Sequence, residues 1–312
     1  MSNYNYLRIS VTDRCNLRCT YCMPCCGLDL FSDEELLSFE QVLRLGKIFA
    51  GLGVSSVRFT GGEPLLREDI GELIKAFKNI QGIDQVHLTT NAVLLEQKAR
   101  VLKIAGLDGV NVSLDTLNAQ KFKKFTGSDN LIKVISGIDK AKAEGFNNIK
   151  VNSVIMAGQN DDEVCDLVNF FNGRGLIGRF IEFMHITPLW DERLFIPIED
   201  IKKLCEAKYG LFPSEFRSLG PAKYFTLGNG QQIGFIHTHS ENCVDCSRLR
   251  ISPTGKFKIC LYEENALALK PLLQEMNDEE LALRIQERIC VKNSVDYKCF
   301  PSGQIFMSQI GG

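Results

Sequence analysis

Cys15, Cys19 and Cys22 form a C-x3-C-x2-C run directly after the first strand-like segment of the chain. Three thiolates within one turn-sized stretch can converge on a single iron–sulfur cluster. They supply one ligand fewer than its four irons require, which leaves one iron open to bind and activate another molecule. A zinc knuckle or ferredoxin-like site is the plainer alternative, but zinc asks for a nearby fourth ligand and usually for paired C-x2-C units. A second group, Cys243-x2-Cys246-x13-Cys260, has Pro253 midway between its last two members. A hairpin folding at Pro253-Thr254-Gly255 would bring Cys246 and Cys260 together, giving another trio one ligand short. On spacing alone, a structural zinc completed by His237, His239 or a further cysteine fits this group equally well.

Two further patterns carry chemistry. Thr60-Gly61-Gly62-Glu63-Pro64 follows a strand; its glycines let backbone approach a ligand closely, and the Glu63 carboxylate can accept from an ammonium group. Arg8, Arg58, Lys150, Arg179, Arg248 and Arg250 fall on strand or hairpin positions. Singly, each reads as a surface charge or an ion pair. Together in one cavity they would demand an anion, and a polyphosphate matches guanidinium geometry. Arg248 and Arg250, two apart, share one face of a strand.

The chain has 312 residues, 45% hydrophobic and 24% charged, with 36 basic against 38 acidic residues and a net charge of −2. That is an ordinary globular balance, long enough for a large core and a smaller second unit. The absence of a basic stripe argues against nucleic acid, and no run of 18 apolar residues offers a membrane span. Met1 to Tyr6 has neither a signal-peptide core nor an arginine-rich transit helix, so a cytoplasmic protein is expected. Of the 12 cysteines, Cys15, Cys19, Cys22, Cys25 and Cys26 crowd one loop. Such clustering reads as metal ligation in a reducing compartment, not as a disulfide framework.

These residues sit on an alternating strand–helix pattern. Strands are expected at Tyr6–Val11, Ser56–Thr60, Gln85–Thr90, Gly109–Leu114, Ile149–Met156 and Arg179–Met184. Between them helices are expected from Ser38, which with Gln41 makes a capping box, and over Ile70–Phe77, Leu94–Ile104, Leu131–Lys142 and the Val164-to-Phe171 stretch. Six such units predict an α/β fold, an incomplete (β/α)6 TIM-like barrel with parallel strands and chemistry at their C-terminal ends, where Thr60, Thr89, Thr90, Ser113 and Glu182 stand. After Met184 the pattern changes. A short helix from Pro197, a Gly/Ser/Pro-rich boundary at Phe212–Pro221 and a hairpin at Asn229-Gly230 divide the chain into residues 1–216 and a smaller, hairpin-containing unit, 217–312.

The cysteine loop, TGGEP, LTTNA (Leu88 to Ala92), NVSLD (Asn111 to Asp115), KVN (Lys150 to Asn152), RFIEFM (Arg179 to Met184), the segment Cys243 to Cys260 and the terminal Ile310-Gly311-Gly312 occur in order. In this the chain resembles, over essentially its whole length, the GTP 3′,8-cyclase (MoaA) family of radical S-adenosylmethionine enzymes in molybdenum cofactor biosynthesis. The resemblance implies a 4Fe-4S cluster on Cys15, Cys19 and Cys22 that binds S-adenosylmethionine, with Tyr21, Gly62, Glu63, Ser113 and Met184 around that cofactor. It implies a second 4Fe-4S cluster on Cys243, Cys246 and Cys260 that receives guanine. Arg8, Arg58, Thr89, Lys150, Arg179, Arg248, Leu249 and Arg250 would line the GTP site, and Gly311 and Gly312 would reach the active site. An electron donor, a downstream cyclic pyranopterin monophosphate synthase and, permissibly, a homodimer are implied as partners. The chain departs from the family at Cys25-Cys26, at Ser56 where a lysine is common, and across Val291–Ser308. A peptide maturase of the same superfamily and a non-catalytic iron–sulfur sensor are the alternatives. The first would need a peptide-recognition segment; the second leaves Gly61-Gly62-Glu63 without a task.

Overall fold

The computed structural model describes residues 4–24, 27–237, 246–263, 265–292 and 306–307. Its first two-thirds follow the expected alternation. Strands β1 (Tyr6–Ser10), β2 (Ser56–Thr60), β3 (Gln85–Thr90), β4 (Gly109–Ser113), β5 (Ile149–Ile155) and β6 (Ile177–Glu182) lie side by side in parallel. Helices α1 (Phe39–Gly51), α2 (Ile70–Lys78), α3 (Leu95–Ile104), α4 (Ala119–Thr126), α5 (Leu131–Ala143) and α6 (Val164–Arg174) form the crossovers. Both halves of the Ser38–Gln41 capping box are present at the start of α1. Helix α4 was not anticipated. Capped by Asn118, it buries Phe122 and Phe125.

The later third does not build a sheet of its own. After α7 (Ile198–Tyr209) come β7 (Leu211–Pro213), β8 (Lys223–Leu227), β9 (Gln232–Ile236), β10 (Arg248–Ile251), β11 (Lys256–Lys258) and β12 (Leu267–Ala268), then α8 (Leu269–Glu275) and α9 (Asp278–Val291). Both expected hairpins form, β8–β9 and β10–β11. Yet β9 pairs parallel with β6 and β10 pairs parallel with β1, so the segment clamps both edges of the six-stranded sheet. The result is one open sheet in the order β12-β11-β10-β1-β2-β3-β4-β5-β6-β9-β8-β7. Its parallel run therefore exceeds the six strands that the alternation predicted, and the sheet crosses the expected division at 216/217 without a break.

The pleat sorts side chains into two faces. Leu7 and Ile9, Val57 and Phe59, Val86 and Leu88, Val110 and Val112, and Leu249 and Ile251 are fully buried in the core. Their alternate neighbours line a cavity on the other side. This period-2 alternation, repeated strand after strand, puts an apolar layer under the helices and a polar one inside the curve of the sheet. The helices seal the core with T-shaped pairs such as Phe59–Phe77, with centroids 4.9 Å apart, and Phe49–Phe257, 5.3 Å apart.

Candidate active site

The inner face encloses a cavity of about 870 Å³, within the range that holds a ligand of drug or nucleotide size. Cys15, Cys19 and Cys22 line it beside Gly61, Gly62, Thr90, Asn91, Ser113 and Asp115, at the C-terminal ends of the strands. The cysteine loop is held there by backbone. Arg18 and Thr20 donate their amides to the carbonyls of Thr126 and Phe125, each at 2.8 Å. The loop thus satisfies acceptors that a helix C-terminus leaves over, and the unanticipated α4 positions the site.

The glycines of the Gly61-Gly62 turn face the loop itself. Gly62 N–H donates to Thr12 O at 2.8 Å and Glu63 N–H to Arg14 O at 2.7 Å. A Cβ on Gly62 would stand 2.3 Å from Arg14 O. Close approach is required, as expected, but it is the approach of one loop's backbone to another. The Glu63 carboxylate has partners within the chain. It is fully buried and accepts from Leu65 N–H at 3.0 Å, Thr90 Oγ1 at 2.7 Å and Asn91 N–H at 2.7 Å. A carboxylate so engaged anchors the turn and leaves the exposed backbone to meet a ligand. Burial raises its pKa to about 7 against these three hydrogen bonds. Asn91, held by Glu63, in turn donates to Cys15 Sγ at 3.7 Å and to Asn16 Oδ1 at 2.8 Å.

Burial pushes the Cys19 thiol well up, with further help from Cys22, Asp115 and Cys15; Cys15 is raised chiefly by burial. The thiols are close enough to oppose one another's ionisation, a relation that a bound cationic iron reverses. Among the described residues no three His, Cys, Asp or Glu side chains gather around a single-ion site. Cys15, Cys19 and Cys22 all line this cavity, where three thiolates can hold a cluster with one iron left open. Tyr21 Oη donates to Asp115 Oδ2 at 2.5 Å, and Asp115 Oδ1 accepts from Val154 N–H at 2.8 Å. Burial lifts Asp115 to about 6 despite both bonds.

Deeper in the cavity the cations converge. Arg8 is the register partner of both Arg250 and Arg58, and Arg58 is that of His87, so four basic side chains stand in one row across β10, β1, β2 and β3. Lys150 and Arg179 line the same cavity from β5 and β6, with Thr89 and Asn111 between. The partners of two of them are neutral: Tyr6 Oη for Arg58 and Asn152 Oδ1, at 2.8 Å, for Arg179. Desolvation, then Arg179 and Arg58, lowers Lys150 to about 7. Desolvation, then Arg58 and Lys150, lowers His87 to about 3. Desolvation and Arg248 bring Arg250 to about 10, and Arg8 falls well below the usual arginine range through burial and Arg250. A wall whose cations depress Lys150, His87, Arg8 and Arg250 favours an anion.

Arg248 joins this wall, whereas Leu249 turns to the opposite face and is fully buried in the core, so its side chain is kept from the cavity. Met184 lines the cavity from the loop after β6. The Phe212–Pro221 stretch, expected as a boundary, contributes Phe216 through Pro221 to the cavity wall, and Lys150 Nζ lies 5.8 Å from the Phe216 ring centroid. Cys246 accepts from Arg248 Nε at 3.2 Å and Lys292 Nζ at 3.6 Å. Burial opposes ionisation of this thiol, but Arg248 and Lys292 outweigh it and bring it to about 7, a donor set suited to a thiolate ligand. Cys260 follows β11, after the hairpin turn, and its charge acts on Arg250 together with that of Cys246. Neither thiol is in the cavity wall itself; their neighbours Arg248, Arg250 and Leu261 are. Cys243, Gly311 and Gly312, with Cys25, Cys26 and His239, lie outside the described residues. Sequence reasoning missed His87, Asn111, Asn152 and Asp115, although the first three share the inward alternation of Thr89 and Lys150.

Comparison with known proteins agrees with this geometry. Residues 9–171 match the radical SAM superfamily and residues 177–297 match Molybdenum Cofactor Synthesis C. The GTP 3′,8-cyclase of Listeria monocytogenes is 38% identical over 99% of this chain and 97% of its own length. That of Thermodesulfovibrio yellowstonii is 41% identical over 93% and 92%. Among solved structures, Streptococcus suis SuiB superposes with a TM-score of 0.64 over 91% of this chain and 68% of SuiB, at 17% identity, a likeness of fold alone. The chain belongs to the GTP 3′,8-cyclase family of the radical SAM superfamily.

Proposed function

We propose that the protein converts GTP to (8S)-3′,8-cyclo-7,8-dihydroguanosine 5′-triphosphate, the first step of molybdenum cofactor biosynthesis. The observation that carries this reading is that the N-terminal thiol trio and the row of cations line one cavity. When bound, a reduced 4Fe-4S cluster with S-adenosylmethionine supplies a 5′-deoxyadenosyl radical, which takes the hydrogen from C3′ of the substrate. The substrate's C3′ radical would then bond to C8 of its own guanine as the C8–N7 π bond opens, and one electron from the electron donor with one proton at N7 would complete the 7,8-dihydro product.

The chain's residues bind, orient and exclude water. Cys15, Cys19 and Cys22 hold the first cluster, the backbone at Gly61 and Gly62 receives the methionine moiety, and the Tyr21–Asp115 pair, Ser113 and Met184 surround the rest of the cofactor. Arg8, Arg58, Lys150, Arg179 and Arg250 grip the triphosphate, and Thr89 adds a hydroxyl. Arg248 and the second cluster on Cys243, Cys246 and Cys260 take the guanine end, and the Gly311-Gly312 tail completes the site. Two gripped ends fix where C3′ lies. Misplacement by about 1 Å costs on the order of a hundredfold in rate. An electron donor, a downstream cyclic pyranopterin monophosphate synthase, a cytoplasmic setting and a homodimer belong to the same proposal. Among the described residues no helix is long and apolar enough to cross a membrane.

The test is an anaerobic incubation with S-adenosylmethionine, a reductant and GTP deuterated at C3′. Deuterium is expected in 5′-deoxyadenosine, alongside a product with the mass of GTP. Unlabelled 5′-deoxyadenosine would rule out this path.

A further inference from the structure

We propose that Lys292 is a positioning residue for the second iron–sulfur cluster. Together with Arg248 it presents a cationic hydrogen-bond donor to the Cys246 sulfur, fixing that ligand and holding the cluster at a higher reduction potential than its thiolates alone would set. The inference rests on the two-cluster reading above.

Lys292 caps the C-terminal end of α9, where its amide donates to Ile289 O at 3.0 Å. Its side chain does not run out to solvent; the residue is 7% exposed. An ammonium has three N–H donors and no acceptor, and among the described residues Nζ has three contacts. Nζ donates to Arg248 O at 2.6 Å and to Cys246 Sγ at 3.6 Å, and it faces the Tyr4 ring at 4.8 Å from the centroid. A carbonyl and an aromatic face are neutral. Taking an ammonium out of water costs several kcal/mol unless an opposite charge compensates, and the sulfur is the one contact of the three that can carry that charge.

The helix that delivers Lys292 is firmly placed. Leu281, Ile285 and Ile289 of α9 are buried, α9 packs on α1, and Arg44 of α1 pairs with Asp278 at 2.6 Å. Donors to cluster sulfurs draw electron density from the irons and favour the reduced state, and such outer contacts orient the ligands that they touch. Arg248 both donates to Cys246 and lines the cavity, so the pair Lys292–Arg248 joins the outer helix to the substrate wall through one sulfur.

The test uses the full chain carrying Cys15→Ala, Cys19→Ala and Cys22→Ala, which leaves the second site alone. After anaerobic reconstitution with iron and sulfide, bound iron is counted and the cluster is titrated by potentiometry with electron paramagnetic resonance. In this background Lys292→Met is expected to move the midpoint to a more negative potential, and Lys292→Arg to recover at least half of the shift. Loss of the cluster in Lys292→Met but not in Lys292→Arg, with unchanged circular dichroism in both, supports the proposal too. Should Lys292→Met not fold, Lys292→Gln is read in its place against the same expectations. A midpoint unchanged in the neutral variant, or equal shifts in the neutral and arginine variants, overturns the role of Lys292 while leaving the two-cluster reading intact. Absence of iron from the background protein with Lys292 present would overturn both.

Discussion

Arg8 and Arg58 are register partners on adjacent parallel strands, and both side chains turn into the cavity. Arg58 is one of the like charges that, with burial and Arg250, depress Arg8. The unliganded wall is therefore strained electrostatically, and a triphosphate relieves it. Arg58→Met is expected to weaken GTP binding by roughly tenfold to a hundredfold, the worth of a charge-assisted hydrogen bond. It should cost the unliganded protein little stability, since relieved repulsion offsets the lost bond to Tyr6. Calorimetric titration with GTP and thermal melts without it give both numbers, and an unchanged affinity would remove Arg58 from the site.

Lys150 provides a pH signature. Its folded pKa of about 7 lies below the ordinary lysine value of 10.5, so between those limits the unfolded chain binds more protons than the folded one. Stability from this group then rises with pH across that window, by a few kcal/mol at most. Urea melts of unliganded protein at neutral pH and near pH 9.5 should show a gain in the parent that is smaller in Lys150→Met. With GTP bound, the difference should shrink, because the triphosphate restores the charged form. Identical pH dependence in parent and variant would contradict the assignment.

Gly62 separates packing from chemistry. Because an added Cβ would meet the backbone oxygen of Arg14 at 2.3 Å, no side-chain adjustment relieves the clash, and the cysteine loop must move. Gly62→Ala is expected to lose the first cluster and keep the second, halving the iron of anaerobically reconstituted protein. Full iron content with normal S-adenosylmethionine binding would show that the loop tolerates the shift.

Glu63→Gln tests the anchor. One amide hydrogen-bond donor would then face the N–H and O–H donors that the carboxylate now accepts. An unsatisfied buried pair of this kind costs about 2 kcal/mol. Through Asn91 and its bond to Cys15, iron should also pass faster to a chelator. Unchanged denaturation midpoint and iron release would leave Glu63 as a filler of space.

Much of this was legible because each barrel strand is short and carries its own alternation: HLT and RLR each name one residue for the core and two neighbours for the cavity, and VRF names two for the core around one for the cavity. What was not legible depends on distance. Nothing local to Arg248–Ile251 says that it pairs with Tyr6–Ser10, or that Gln232–Ile236 extends the other edge. Helix α4 escaped because a helix of 8 residues offers barely two turns of periodicity. Helix α9 had a readable signal: Asn277 and Glu280 form the same kind of capping box as Ser38 and Gln41. The anchoring of Glu63 was not legible because two of its three partners, Thr90 and Asn91, come from the end of another strand.

The pairing of β9 and β10 with opposite edges also bears on how the chain comes off the ribosome. Until residue 236 has emerged the first six strands present two bare borders, and until residue 251 has emerged the β1 border stays bare, with unmatched amides and carbonyls that invite a second nascent chain. A fragment ending at 216 should accordingly aggregate. Strands made late in synthesis are the ones that close both borders of the sheet.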